Sequence, residues 1–111
     1  MIYDVKISEH ALLDMKGMYE HICNELMEPI IAAKQYARIE EAIYSLEQMP
    51  ERFRRYDKEP WKSRNLRIML VDNYIVYYIV NNTKNLVTAM RVMYGRRDTE
   101  KELENMTEQE Y

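Results

Sequence analysis

Glycine is nearly missing from this chain: Gly17 and Gly95 are the only two in 111 residues. A glycine-rich loop that cradles phosphates with its backbone is therefore excluded. Cys23 is the single cysteine, so no internal disulfide can form. Two of the three prolines fall in one stretch, residues 50–63. No apolar run reaches the length of a membrane span, and the N-terminal MIYDVKIS lacks the pattern of a secretory signal. A lone cysteine without an export signal predicts the cytoplasm and no membrane partner.

Catalytic patterns are equally scarce. No serine sits in a nucleophile-elbow context. The carboxylates are plentiful, but none is paired in an apolar setting that would raise its pKa, so acid–base catalysis by the usual His or Glu pair has no support. His21 and Cys23 stand two apart on a predicted helix and point to different sides, so with His10 they make no metal site. His21 reads as a surface or half-buried helix residue. Nothing in the sequence asks for a cofactor.

What is present is an uneven distribution of charge. The net charge of −3 conceals a basic centre. Residues 1–50 carry four Lys/Arg against nine Asp/Glu, residues 51–98 eleven against five, and residues 99–111 one against five. Such a centre suits a polyanionic or acidic partner, although a solvated basic loop gives the same count. From Arg52 to Arg67 there are seven Lys/Arg against two acids, with Phe53, Tyr56 and Trp61 interleaved. That pattern can grip phosphates and stack bases. Trp61 also reads as a loop anchor packed against a sheet.

The periodicity predicts one α+β domain over 1–111. IYDVKI alternates as a strand with one buried face. Ser8 then caps a helix, with Ile7 and Leu12 placed as a hydrophobic staple. Leu12, Met15, Tyr19, Ile22 and Leu26 form its expected apolar stripe, with Gly17 off it. Pro29 opens a second helix whose stripe is Ala32, Tyr36, Ile39, Ile43 and Leu46, and Pro50 ends the run. Two matched stripes joined by a few residues make an antiparallel helical hairpin. Residues 50–63 form a long ordered loop. RNLRIMLV and YIVYYIV follow as strands joined by a tight turn at Asp72-Asn73, and LVTAMRVMY is the last strand, ended by Gly95. The hairpin is expected to pack on one face of a small, mainly antiparallel four-stranded sheet. A short C-terminal tail or helix completes the chain.

One hairpin covers one face of a sheet, yet the last two strands are apolar on both. Strict alternation places Leu86, Met90, Val92 and Tyr94 on one face and Val87, Ala89, Arg91 and Met93 on the other. Arg67 shares a face with Met69 and Val71. The expectation is an apolar face, turned away from the helices and studded with Arg67 and Arg91, that an external partner or the acidic tail covers. Arg96 and Arg97 then project from the rim of the last strand, where Asp98 can pair with one of them or simply close the strand end.

The order of strand, helical hairpin, three strands and YGRRD resembles the RelE/ParE superfamily of toxins from bacterial type II toxin–antitoxin modules. The likeness spans the whole chain and is strongest to the ParE-like branch, through Leu66-Arg67, Asn73-Tyr74-Ile75, Tyr77 and Gly95-Arg96-Arg97. It implies a cytoplasmic growth inhibitor of the plasmid-stabilisation kind, neutralised by a cognate antitoxin and touching operator DNA only through that antitoxin. ParE-like members poison DNA gyrase. RelE-like members cut messenger RNA on the ribosome, and under that alternative Arg67, Arg96 and Arg97 are the catalytic candidates. Tyr74 falls where those enzymes carry a further arginine, which a tyrosine cannot replace as a permanent charge. Their later tyrosine has no match in TEKELEN. Tyr94 stands where many relatives carry histidine. The residues assigned to target or antitoxin binding are Arg67, Tyr74, Tyr78, Arg91, Tyr94, Arg96 and Arg97. Gyrase inhibition is the preferred reading, ribosome-dependent RNA cleavage the alternative, and a small non-toxic binding regulator the third.

Overall fold

Ser8 turns the chain from strand to helix. Its Oγ accepts from the Ala11 amide at 3.1 Å, and its hydroxyl donates to the Met90 carbonyl at 3.0 Å. One small side chain thus caps a helix and ties it to the sheet. The computed structural model describes residues 2–95. Its elements are β1 (Asp4–Ile7), α1 (Glu9–Glu20), α2 (Pro29–Tyr44), β2 (Leu66–Val71), β3 (Tyr74–Asn81) and β4 (Leu86–Tyr94). The sheet order is β1-β4-β3-β2, with β1 parallel to β4 and the remaining pairs antiparallel. The helices form the expected hairpin on one face, so the α+β architecture is the one the sequence predicts.

α2 buries the expected stripe: Ala32, Ile39 and Ile43, with Leu46 in the following turn and Tyr36 half-buried. Pro29 is its first residue, where a missing amide hydrogen costs nothing. α1 departs from expectation. Its buried face is Ala11, Met15, Met18 and Ile22, while Leu12, Tyr19 and Leu26 are exposed. Both sets follow helical spacing, so periodicity cannot choose between them. The link from Ser8 to β4 fixes the rotation of the helix, and Ala11 is small enough to lie against the strand.

The Asp72-Asn73 turn is tight, with Val71 paired to Tyr74 and Asp72 at φ 55°. Arg38 grips the Asp72 carboxylate at 2.7 and 2.8 Å, and Gln35 adds a third bond at 3.0 Å. These bonds hold its carboxyl below the ordinary carboxylate range, the hydrogen bond from Arg38 contributing most.

The sheet is not regular. A bulge between β3 and β4 pairs Tyr77 with Arg91 but Tyr78 with Ala89, leaving Met90 extra. The faces of β4 therefore exchange midway. Val87, Ala89 and Val92 join the helix-side core with Val76, Tyr78 and Val80. Met90 and Met93 join Leu66, Ile68, Tyr77 and Ile79 on the other face, where Trp61 is buried at 2% exposure. Strict alternation of β4 is overturned by that one added residue. Trp61 is the loop anchor its setting suggested, and the face expected to lie bare carries a core of its own.

Candidate functional site

Three of the assigned residues lie inside the fold. Arg91 is only 8% exposed and is held by Asp14 of α1, with its Nε 2.7 Å from the carboxylate. It stands at the bulge and not on an open face. Arg67 does share a face with Met69 and Val71, but that face is the helix side. Its guanidinium donates to the Glu51 and Phe53 carbonyls at 3.1 and 2.7 Å, to the Glu51 carboxylate at 3.1 Å and to the Asn65 side chain at 3.2 Å. Tyr78 is fully buried, its hydroxyl donating to the Pro50 carbonyl at 2.6 Å. Burial pushes that phenol up to about 12. All three side chains fasten loop 45–55 or α1 to the sheet. Arg96 and Arg97 lie outside the described residues.

Tyr74 and Tyr94 do reach a site. They are partners in the last β3–β4 pair, and their rings meet edge-on at 5.6 Å. Burial, followed by the neighbouring Tyr94, raises the Tyr74 phenol above its ordinary value. Together they wall one side of a cleft of about 740 Å³ between the strand ends and the helical hairpin. Leu13, Met18, Leu26 and Ile31 supply the opposite wall. Leu13 is 59% exposed and Ile31 52%, so the rim is apolar and open. Gly17 widens the wall, since a side chain there would meet nothing within 4 Å. Past α1, a π-helical turn at His21–Glu25 and a left-handed Met27 (φ 57°) carry the chain round the mouth.

Asp14, His21, Glu28, Gln35 and Asn73 bring polar groups to the cleft, and three of them are engaged. His21 pairs with Glu25 at 2.5 Å, Gln35 with Asp72, and Asp14 with Arg91. Among the described residues, no group of His, Cys, Asp or Glu could hold a metal ion. An open cleft with an apolar rim is suited to taking side chains from a peptide segment, which needs buried area more than reactive groups. Leu13 and Ile31 were not among the expected site residues, and Leu26 was expected in the core stripe of the first helix but is exposed at the cleft. The available signal was that each half of the hairpin carries more apolar residues than one stripe uses.

The family model described as the ParE toxin of the type II toxin–antitoxin system, parDE, matches residues 5–99. No curated protein matches the sequence. The fold is similar to the chromosomal ParDE system from P. aeruginosa, with TM-score 0.68, 19% identity, and coverage of 84% of this chain and 96% of that one. It is similar also to a double arginine-to-alanine variant of the E. coli toxin RelE in the free state. There the TM-score is 0.67 at 12% identity, and both chains are covered completely. A toxin–antitoxin complex of the RelBE type from Mycobacterium tuberculosis gives 0.60 at 20% identity, covering 85% and 92%. With a match that runs from β1 past the end of β4, on a fold common to ParE and RelE structures, the chain belongs to the ParE toxin family of type II toxin–antitoxin systems.

Proposed function

We propose that this toxin acts in the cytoplasm by poisoning DNA gyrase, and that its antitoxin silences it by filling the cleft beside Tyr74 and Tyr94. The observation that carries the gyrase reading is the state of Arg67. A catalytic cation for RNA cleavage must present its charge to a phosphate in the transition state. Arg67 instead spends its donors on Glu51, Phe53 and Asn65, with its side chain 11% exposed. Tyr74, which the resemblance sets in the position of a second such cation, lines the cleft. The net charge of −3 also gives little general attraction to ribosomal RNA. Arg96 and Arg97, beyond the last described residue, are proposed to contact the target from the end of β4.

The antitoxin reading rests on the cleft itself. Exposed Leu13, Leu26, Ile31 and Tyr94 form an apolar rim that a folding peptide segment buries.

The test is a paired assay with purified toxin. Gyrase supercoiling should stop while messenger RNA in the ribosomal A site stays intact, and antitoxin should restore supercoiling. Cut messenger RNA with normal supercoiling would replace the gyrase reading by the RNA-cleaving one. If expression of the chain alone leaves growth unchanged, both give way to a non-toxic regulator.

A further inference from the structure

The sheet does not end at β2. The Tyr56 amide donates to the Leu66 carbonyl at 2.8 Å, and the Ile68 amide donates to the Arg54 carbonyl at 3.1 Å. This short ladder sets Arg55 directly opposite Arg67 in an antiparallel bridge. Like charges in that relation destabilise a sheet. Arg67 is turned inward to Glu51, whereas Arg55 remains exposed. Its exposed neighbour Arg54 falls, by alternation, on the side of Tyr56, which packs with the Trp61 cluster. The two arginines thus flank the sheet edge. Neither has an ion pair or side-chain hydrogen bond among the described residues. Residues 52–64 hold six Lys/Arg against two acids, in a chain whose total is negative.

The same loop shows which polyanion it suits. Single strands are gripped by exposed aromatic platforms on which bases stack. Here Trp61 is buried and covered by Arg64 at 5.1 Å. Arg52 lies over Phe53 at 4.7 Å, and Tyr56 meets Tyr77 edge-on. The aromatics are spent on the protein. What remains outward is charge along an edge, which suits regularly spaced backbone phosphates and not splayed bases.

We propose that this edge binds the phosphate backbone of a nucleic-acid duplex, with Arg54 and Arg55 as its principal contacts. The surface is separate from the cleft, and its binding requires neither gyrase nor antitoxin. The full chain, made by cell-free synthesis, is titrated by fluorescence anisotropy against a labelled random-sequence DNA duplex of about two helical turns. Salt is varied between about 50 and 200 mM. A duplex of RNA, a single strand and polyglutamate serve as the other probes.

Affinity for at least one duplex should fall log-linearly with salt, and exceed affinity for the single strand. Each phosphate contact contributes about 0.9 to that slope, so Arg54→Gln with Arg55→Gln should reduce it by about 1.8. The control pair Lys16→Gln with Lys34→Gln, on the helices, should leave the slope unchanged. Urea unfolding at the wild-type midpoint verifies that each variant is folded. DNA against RNA duplex then identifies the source of the phosphates. Absence of duplex binding at the lowest salt overturns the proposal. So does tighter binding of the single strand, an unchanged slope in the arginine variant, or polyglutamate displacing the duplex at equal charge, which would assign the edge to an acidic peptide.

Discussion

Arg91 of β4 and Asp14 of α1 form a two-bond ion pair at 2.7 and 3.0 Å, and the same carboxylate accepts the Val92 amide at 2.9 Å. The parallel partner β1 stops at Ile7, opposite Ala89. Past that point, among the described residues, no strand lies beside β4 on this side. The Asp14 carboxylate takes the acceptor place that a longer strand would have filled.

Replacing Asp14 by alanine removes that acceptor from a buried amide and the carboxylate from a buried guanidinium. The expected loss is about 3–5 kcal/mol, the usual range for breaking one side of a buried pair. Arg91→Glu should be at least as damaging, since it sets two carboxylates together. Urea denaturation measures both, and a loss under about 1 kcal/mol would mean the pair is held too loosely to matter.

Tyr78→Phe leaves the Pro50 carbonyl without its donor and should lower stability by about 1–3 kcal/mol. It should also change the alkaline limb. An unfolded tyrosine ionises near 10, whereas the folded Tyr78 is pushed up to about 12. Its contribution is therefore complete below pH 10 and is lost as pH rises toward 12. A shallower alkaline decline in the variant, followed by circular dichroism, is the expected outcome. Parallel curves would contradict it.

Glu51 sets the opposite limb. Its carboxyl is held below the ordinary 4.5, first by the Asn65 amide and further by Asn82 and Arg67. A depressed value contributes stability above the unfolded pKa, which is lost as pH falls through the folded one. Glu51→Gln should weaken the fold at neutral pH and flatten its acid decline. Arg67→Ala, in the same network, should lower the urea midpoint. Unchanged stability in the Arg67 variant would return that residue to the list of exposed, reactive cations.

Leu13→Glu combined with Ile31→Glu tests the cleft. Each side chain stands on the rim, so the fold should survive. Burying an aliphatic side chain stabilises a complex by about 1.5–3 kcal/mol. Two lost together should weaken antitoxin binding by about 100-fold or more. Calorimetry with the purified antitoxin supplies the measurement, and wild-type affinity in this variant would place the antitoxin elsewhere.

The order of elements, the helical hairpin, the Ser8 cap, the Pro29 start and the turn at Asp72 were all legible in the chain. Each is decided by a few neighbouring residues: a hydroxyl one turn before an amide, a proline whose missing donor is harmless, a stripe every three or four positions. The anchoring of Trp61 was legible for a similar reason, as a large apolar side chain in a loop beside a sheet. Local physics was enough for these.

Tertiary structure alone decided which way the shared periodicities faced. The α1 stripe rotated because two apolar sets have the same spacing and only the docking of Ser8 against β4 selects between them. Arg91 moved from an expected open face to a buried pair because the face it was read to share with Val87 and Ala89 is the one the helices cover, where Asp14 of α1 meets it. Arg67 kept its face, but its exposure was settled by Glu51, sixteen residues away in sequence. The cleft depends on the crossing of the hairpin over the strand ends, where Tyr74, Tyr94, Leu13 and Ile31 meet from four elements. A side chain's period along its own strand or helix is a local property, whereas the partner it meets is fixed by long-range packing, which no window of sequence contains.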